Sequence, residues 1–303
     1  MSISSVKLTL NGTTSNMSYN AETGFYELEV TAPNKTSYNN NSGHYYPIQI
    51  KATDSAGNSV TVNDSDSEFG SQLKLRVKET TKPAIVITSP TEDELTSNSK
   101  PTVNWTVTDS GAGVNPDTIG ITINNGSKIT GGITKTPITN GYQCSYSIST
   151  ALPDGTNTIY IDATDYDGNK ATQRSVTFVV DTVPPSLTVS SPTNNLVTNK
   201  NTVVVSGTVK DITAGLEKIT LKLNGGTETQ LTVDSSGNFS KSITLQEGAN
   251  TIVVKALDNI GKSSSVTRIV TLDTIAPVIE KITVAPNPVN TGGIIKVSAK
   301  VTD

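Results

Sequence analysis

One cysteine, Cys144, stands in 303 residues, so no disulfide can form within the chain. Stability has to come from packing. Aromatic residues make up 5% and hydrophobic residues 34%, so any core is thin and built mainly of Val, Ile and Leu. No stretch carries an apolar stripe of helical spacing and length, which excludes a helical bundle. No apolar run approaches the ~18 residues that a membrane-spanning helix needs. The net charge is −4 with no basic cluster, which removes the electrostatic basis for binding nucleic acid or an anionic membrane. The N-terminal residues Met1 to Leu8 have neither a basic segment nor an apolar one, so a chain starting at Met1 is expected to be made without a secretory signal. Histidine is as scarce as cysteine. His44 and Cys144 are 100 residues apart in different repeats, and a Cys–His nucleophile pair is not expected.

Ser, Thr, Asn and Gly are abundant instead, the composition of strands and turns. Three loops share one chemistry: Lys51 to Asn58 (KATDSAGN), Asp162 to Asn169 (DATDYDGN) and Lys255 to Lys262 (KALDNIGK). Each lies between two β-prone runs, as a turn between paired strands does. A proline-led run recurs at Pro83 to Pro90, Pro185 to Pro192 and, more loosely, from Pro277. Proline cannot donate to a sheet ladder, so it marks a linker or the first residue of an edge strand. A strand ending in aspartate follows, at Asp109, Asp211 and Asp303. In all three cases 26 residues separate proline from aspartate, which identifies true repeats.

The period is 102 residues and then 92, the size of one immunoglobulin-like sandwich. The extra length falls between Lys128 and Gly141, where a longer hairpin is expected. Along the aspartate-ending strand the inward side chains read Val-Trp-Val, Val-Gly-Val and Val-Ala-Val, centred on Trp105, Gly207 and Ala299. Trp105 is therefore expected to fill its own core, with neighbours compensating in the other repeats. Asn11-Gly12, Asn124 to Gly126 and Asn224-Gly225 end the next strand with hairpin chemistry.

The fold expected is all-β, with tandem immunoglobulin-like sandwiches in an extended rod. The domains read as 1–79, an atypical module starting in mid-repeat; 80–181 and 182–274, complete sandwiches; and 275–303, the first strands of another. The native chain is expected to continue past Asp303, the alternative being that this tail adds strands to another chain.

The Ala-Thr-Asp-x-x-Gly-Asn loops at Ala52 to Asn58 and Ala163 to Asn169, with the linker at Asp181 to Pro185, resemble bacterial immunoglobulin-like repeats of Gram-positive bacteria and their phages. In the first module, Glu22 to Pro33, His44 to Ile48 and Gln72 to Glu79 resemble the leading module of Ig-like proteins encoded among phage tail genes. The resemblance implies a non-enzymatic structural or adhesive protein of a virion, attached to other tail or baseplate proteins by residues 1–79. Its repeats would project toward host surface carbohydrate. Two alternatives are a cell-surface adhesin and the accessory region of a secreted glycoside hydrolase.

Two sites remain as candidates. Asp162, Asp165, Asp167 and Asn169 put four oxygen-bearing side chains in eight residues, and calcium takes six to eight oxygen ligands. Only the central aspartate recurs in all three loops, so turn capping explains it better and no cofactor is expected. The loop from Ser37 to Tyr46 carries Tyr38, His44, Tyr45 and Tyr46 among Ser, Asn and Gly, the chemistry of adaptable binding surfaces. The alternative is that Tyr45 and Tyr46 begin the next strand, one side chain in and one out.

Overall fold

The computed structural model describes residues 2–303, and among them every regular element is a strand. The chain divides into two compact units, one ending at Val180 and one starting at Asp181.

The first unit opens with a six-stranded sheet. Ile3–Leu10 pairs antiparallel with Thr13–Tyr19 and with Tyr46–Asp54, whose other edge carries Ser59–Val62. Asn11 and Gly12, at φ 48° and 79°, make the two-residue turn that Asn-Gly favours. The core here is small: Val6, Leu10 and Tyr46 are its buried hydrophobic side chains. Late in this module Lys74–Leu75 pairs with Tyr46 and Pro47 at the sheet's edge.

The rest of that unit is a sandwich. One sheet runs Thr134–Ile138, Gly141–Ser147, Thr102–Thr108, Ala84–Ser89; the other runs Val114–Ile123, Gly155–Asp165, Arg174–Val180, Leu95–Thr96. Alternation along Thr102–Thr108 sends Val103, Trp105 and Val107 inward, all fully buried, against Ile119, Ile121, Ile159, Ile161 and Phe178.

The second unit repeats the plan. Ser186–Ser191, Thr202–Lys210 and Asn238–Thr244 form one sheet; the other is Leu196–Thr198, Ser263–Leu272, Gly248–Asp258, Leu216–Leu223, Thr229–Gln230. The three-stranded sheet lacks a counterpart of Thr134–Ile138. The expected insertion is thus a hairpin that adds an edge strand to the first sandwich only. Val278–Ala285 and Lys296–Thr302 follow as an antiparallel pair.

A second repeated device was not anticipated. Asn157 and Asn250 are fully buried, and each donates to two carbonyls of its own turn, at Pro153 and Gly155 or at Gln246 and Gly248. Each then accepts from the asparagine of the Asn-Gly turn, Asn124 or Asn224, at 3.0 Å. These buried amides are satisfied, as burial demands.

Candidate functional site

The three Asp-Gly loops behave as turns first. Asp54 Oδ1 accepts from the backbone N–H groups of Ala56 and Asn58, and Asp258 Oδ1 from those of Ile260 and Lys262. Asp165 Oδ1 accepts from Asn169 N at 2.7 Å. The strand-ending aspartates use the same geometry: Asp109 Oδ1 accepts from Gly111 and Gly113, and Asp211 Oδ1 from Thr213 and Gly215. Capping with one oxygen leaves the other free for something else.

In each sandwich the two capping aspartates meet. Asp109 and Asp165 come together with Glu79, and Asp211 and Asp258 with Asp181; within each triad one ligand oxygen per residue lies within 4.8 Å of the others. The third member is the acid of the linker that leads into the sandwich. Glu79 Oε2 accepts from Thr81 N, and Asp181 Oδ1 from Val183 N, each capping the start of its linker. Asp181 Oδ2 also accepts from Ala214 N at 2.8 Å. Burial is deep: Asp109, Asp165, Asp181 and Asp258 are buried, Glu79 and Asp211 half-buried. Among the described residues none of the six forms an ion pair. Three carboxylate oxygens remain buried with no hydrogen-bond partner: Glu79 Oε1, Asp109 Oδ2 and Asp258 Oδ2.

These triads differ from the candidate set of Asp162, Asp165, Asp167 and Asn169. Asp162 pairs with Lys128 Nζ. Asp167 Oδ2 accepts from Thr36 Oγ1 at 2.6 Å and from Glu79 N at 3.0 Å. Asn169 Nδ2 donates to Asp165 Oδ2 and to the Glu79 carbonyl. Only Asp165 of the four enters a triad. Asp162 and Asp165 diverge because alternation along their strand sends them to opposite faces, while Asp167 and Asn169 lie in the turn beyond it. A signal for the triads does exist: an acid stands four residues before each repeat proline (Glu79, Asp181, Asp273) and 30 before each strand-ending aspartate.

The Tyr/His loop packs inside the first unit. Tyr38 is stacked between His44 and Tyr166, each ring centroid 4.1 Å away and within 11° of parallel. Tyr46 is buried, Tyr45 half-buried with its hydroxyl donating to Asp64 Oδ2 at 2.7 Å. That bond holds the Tyr45 phenol above its ordinary pKa, and burial does the same for Tyr166. Asn39 Nδ2 donates to the Gly111 carbonyl and Lys78 Nζ to that of Asp167. The loop thus joins the first sheet to the following sandwich through Tyr166 and Asp167. Cys144 lies in the core with its thiol pushed up to about 11 by burial, and His44 faces the Tyr38 carbonyl. Neither is placed to activate the other. No helix among the described residues is long and apolar enough to cross a membrane.

Residues 87–182 match the bacterial Ig-like domain family, and residues 185–274 match domain B of glucodextranase. No curated protein matches the chain. Among solved structures, the fibronectin(III)-like modules of Clostridium thermocellum CbhA are similar at 15% identity, over 62% of this chain and 94% of that one, with a TM-score of 0.32. Immunoglobulin domains 1–5 of Sidekick-1 are similar at 13% identity with a TM-score of 0.41; the match covers 98% of this chain, which spans 59% of that one. The D00-D0 domain of Intimin is similar at 15% identity, over 63% of this chain and all of that one, with a TM-score of 0.32. Two β-sandwiches follow one another in the chain, and the first matches the bacterial Ig-like domain family.

Proposed function

We propose that the protein is a non-enzymatic structural and adhesive component of a phage or phage-tail-like particle. The first module would attach to other tail or baseplate proteins, and the Ig-like sandwiches would present loops toward host surface carbohydrate. The observation that carries the non-enzymatic part is how the loop residues are used. Six turn aspartates cap backbone amides, the Tyr38–His44–Tyr166 stack joins two sheets, and Cys144 is core. The particle part is supported by the resemblance of Glu22 to Pro33 and Gln72 to Glu79 to modules encoded among phage tail genes. Mass spectrometry of purified particles from the producing strain is expected to detect the chain. Its absence from them refutes this reading.

A second reading is favoured by one observation, the match of residues 185–274 to domain B of glucodextranase. On that reading the sandwiches are accessory domains serving a carbohydrate-active enzyme. Retardation of the purified chain in native gels cast with dextran or starch, together with absence from particles, would favour it over the first.

A further inference from the structure

Each sandwich holds three carboxylates together without a cation to balance them. Like charges at such range repel, and repulsion is stronger where burial excludes water. An acidic cluster alone proves nothing about a ligand. The independent observation is the unpartnered oxygen. Asp109 is 5% exposed and Asp258 0%, and in each the oxygen not used for turn capping is buried with no hydrogen-bond partner. Leaving such an oxygen unmet is costly, and more so for a charged group than for a neutral one. Both sandwiches retain this cost, at the strand-ending Asp109 in the first and at the loop aspartate Asp258 in the second. Asn169, which satisfies the second oxygen of Asp165, is replaced by Lys262 in the second repeat. There the second oxygen of Asp258 is the orphan.

We infer that each complete sandwich binds one calcium ion, through Glu79, Asp109 and Asp165 in the first and Asp181, Asp211 and Asp258 in the second. Oxygens bound to one calcium at 2.3–2.6 Å lie at most about 5 Å apart, and those of each triad lie within 4.8 Å. The ligands are all hard oxygens, with neither cysteine nor histidine, which disfavours zinc and copper. Magnesium sheds its waters reluctantly and keeps several, which suits a nearly closed site poorly. Calcium accepts backbone carbonyls or a few waters as its remaining ligands. Beside the first triad a cleft lined by Lys35, Asn39, Thr81 and Gly111 reaches Glu79 and supplies a path from solvent. A methyl group added at Gly111 would stand 2.8 Å from Glu79 Oε1 and would have to displace that carboxylate. The ion ties a linker acid to the strand end and turn of the sandwich that follows.

The test uses the full chain, stripped with EDTA and returned to chelator-free buffer. Calorimetric titration with calcium chloride is expected to give two ions per chain with Kd on the order of 10⁻⁴ M. In 5 mM calcium the melting temperature is expected to rise by about 10 °C. Asp109→Asn and Asp258→Asn should each lower the stoichiometry from two to one. Asparagine keeps the oxygen that caps the turn and turns the orphan into a donor facing carboxylates. Each variant without calcium should therefore melt no lower than the wild type without calcium, a result that loss of a merely structural carboxylate would not give. The wild-type titration needs no variant to fold. No binding heat with an unmoved melting temperature, two ions retained by both variants, or equal affinity for magnesium would each overturn the inference.

Discussion

In the first sandwich the cross-strand pair at the middle of the core is Trp105 opposite Cys144; in the second it is Gly207 opposite Phe239. Large faces small in both, with the strands exchanged. All four residues are buried. A Cβ at Gly207 would lie 1.9 Å from the Thr188 carbonyl and 2.8 Å from the Phe239 ring. The phenylalanine fills on one strand the space that the indole fills on its neighbour. What the two sandwiches hold in common is a volume and a set of capping carboxylates, while the residue that supplies the volume is free to move. Interiors packed like crystals tolerate that exchange only as a pair.

Breaking the pair in either sandwich is the largest effect expected. Trp105→Ala and Phe239→Ala should each cost about 3–5 kcal/mol, read as a lower denaturant midpoint for the affected sandwich. The exchange predicts more: Trp105→Gly with Cys144→Phe should be less destabilised than Trp105→Gly alone. If the double variant is worse, the two cores are not related by this swap. Next comes Gly207→Ala, expected to cost about 1–3 kcal/mol because the obstacle is backbone, which must shift. Alanine at Gly225, where nothing lies within 4 Å, meets only the cost of its positive φ and should be milder.

Alkaline pH should separate the sandwiches, since only the first contains a thiol. The folded pKa of Cys144 is raised to about 11, so the neutral thiol's contribution is complete below the unfolded value near 9 and is lost as pH climbs toward 11. A loss of about 1–2 kcal/mol is expected there, measurable by urea titration across that range and absent in Cys144→Ala. The smallest effect should appear in acid and in the second sandwich. The Asn238 side chain, followed by the backbone amides of Asn238, Ser236 and Gly237, holds Asp234 below the ordinary carboxylate range. Its contribution is present above the unfolded value and fades as pH falls through the lowered folded one. Asp234→Ala should make the acid side of the melting curve shallower; an unchanged profile would show that the turn contributes nothing.

Repeats and strand pattern were legible because the signals are local. Pro83, Pro185 and Pro277 remove a ladder donor wherever they stand, and Asn11-Gly12 makes its turn with no help from the rest of the chain. The inward face of Val103, Trp105 and Val107 follows from the strand period of two. Reading the Tyr38 to Tyr46 loop was harder, since composition says nothing of what lies opposite. Tyr166, more than a hundred residues on, closes the stack. The candidate set Asp162, Asp165, Asp167 and Asn169 is a group of sequence neighbours, and only Asp165 of them joins a triad. A ligand set is assembled across strands, and adjacency is a poor guide to it.

The sequence by itself determined the architecture: all-β, repeated at the size of one sandwich, without disulfides, with an aspartate in every turn that phases the repeat. These are consequences of backbone conformation and side-chain period, which neighbours in sequence control. Only the tertiary structure decided that the linker acid, the strand-ending aspartate and the loop aspartate are one site. Their separations of 30 and then 56 or 47 residues acquire meaning when two sheets pack and bring three chain segments to one edge. The same packing decided which carboxylate oxygens are left buried without a partner, and those oxygens point to the metal.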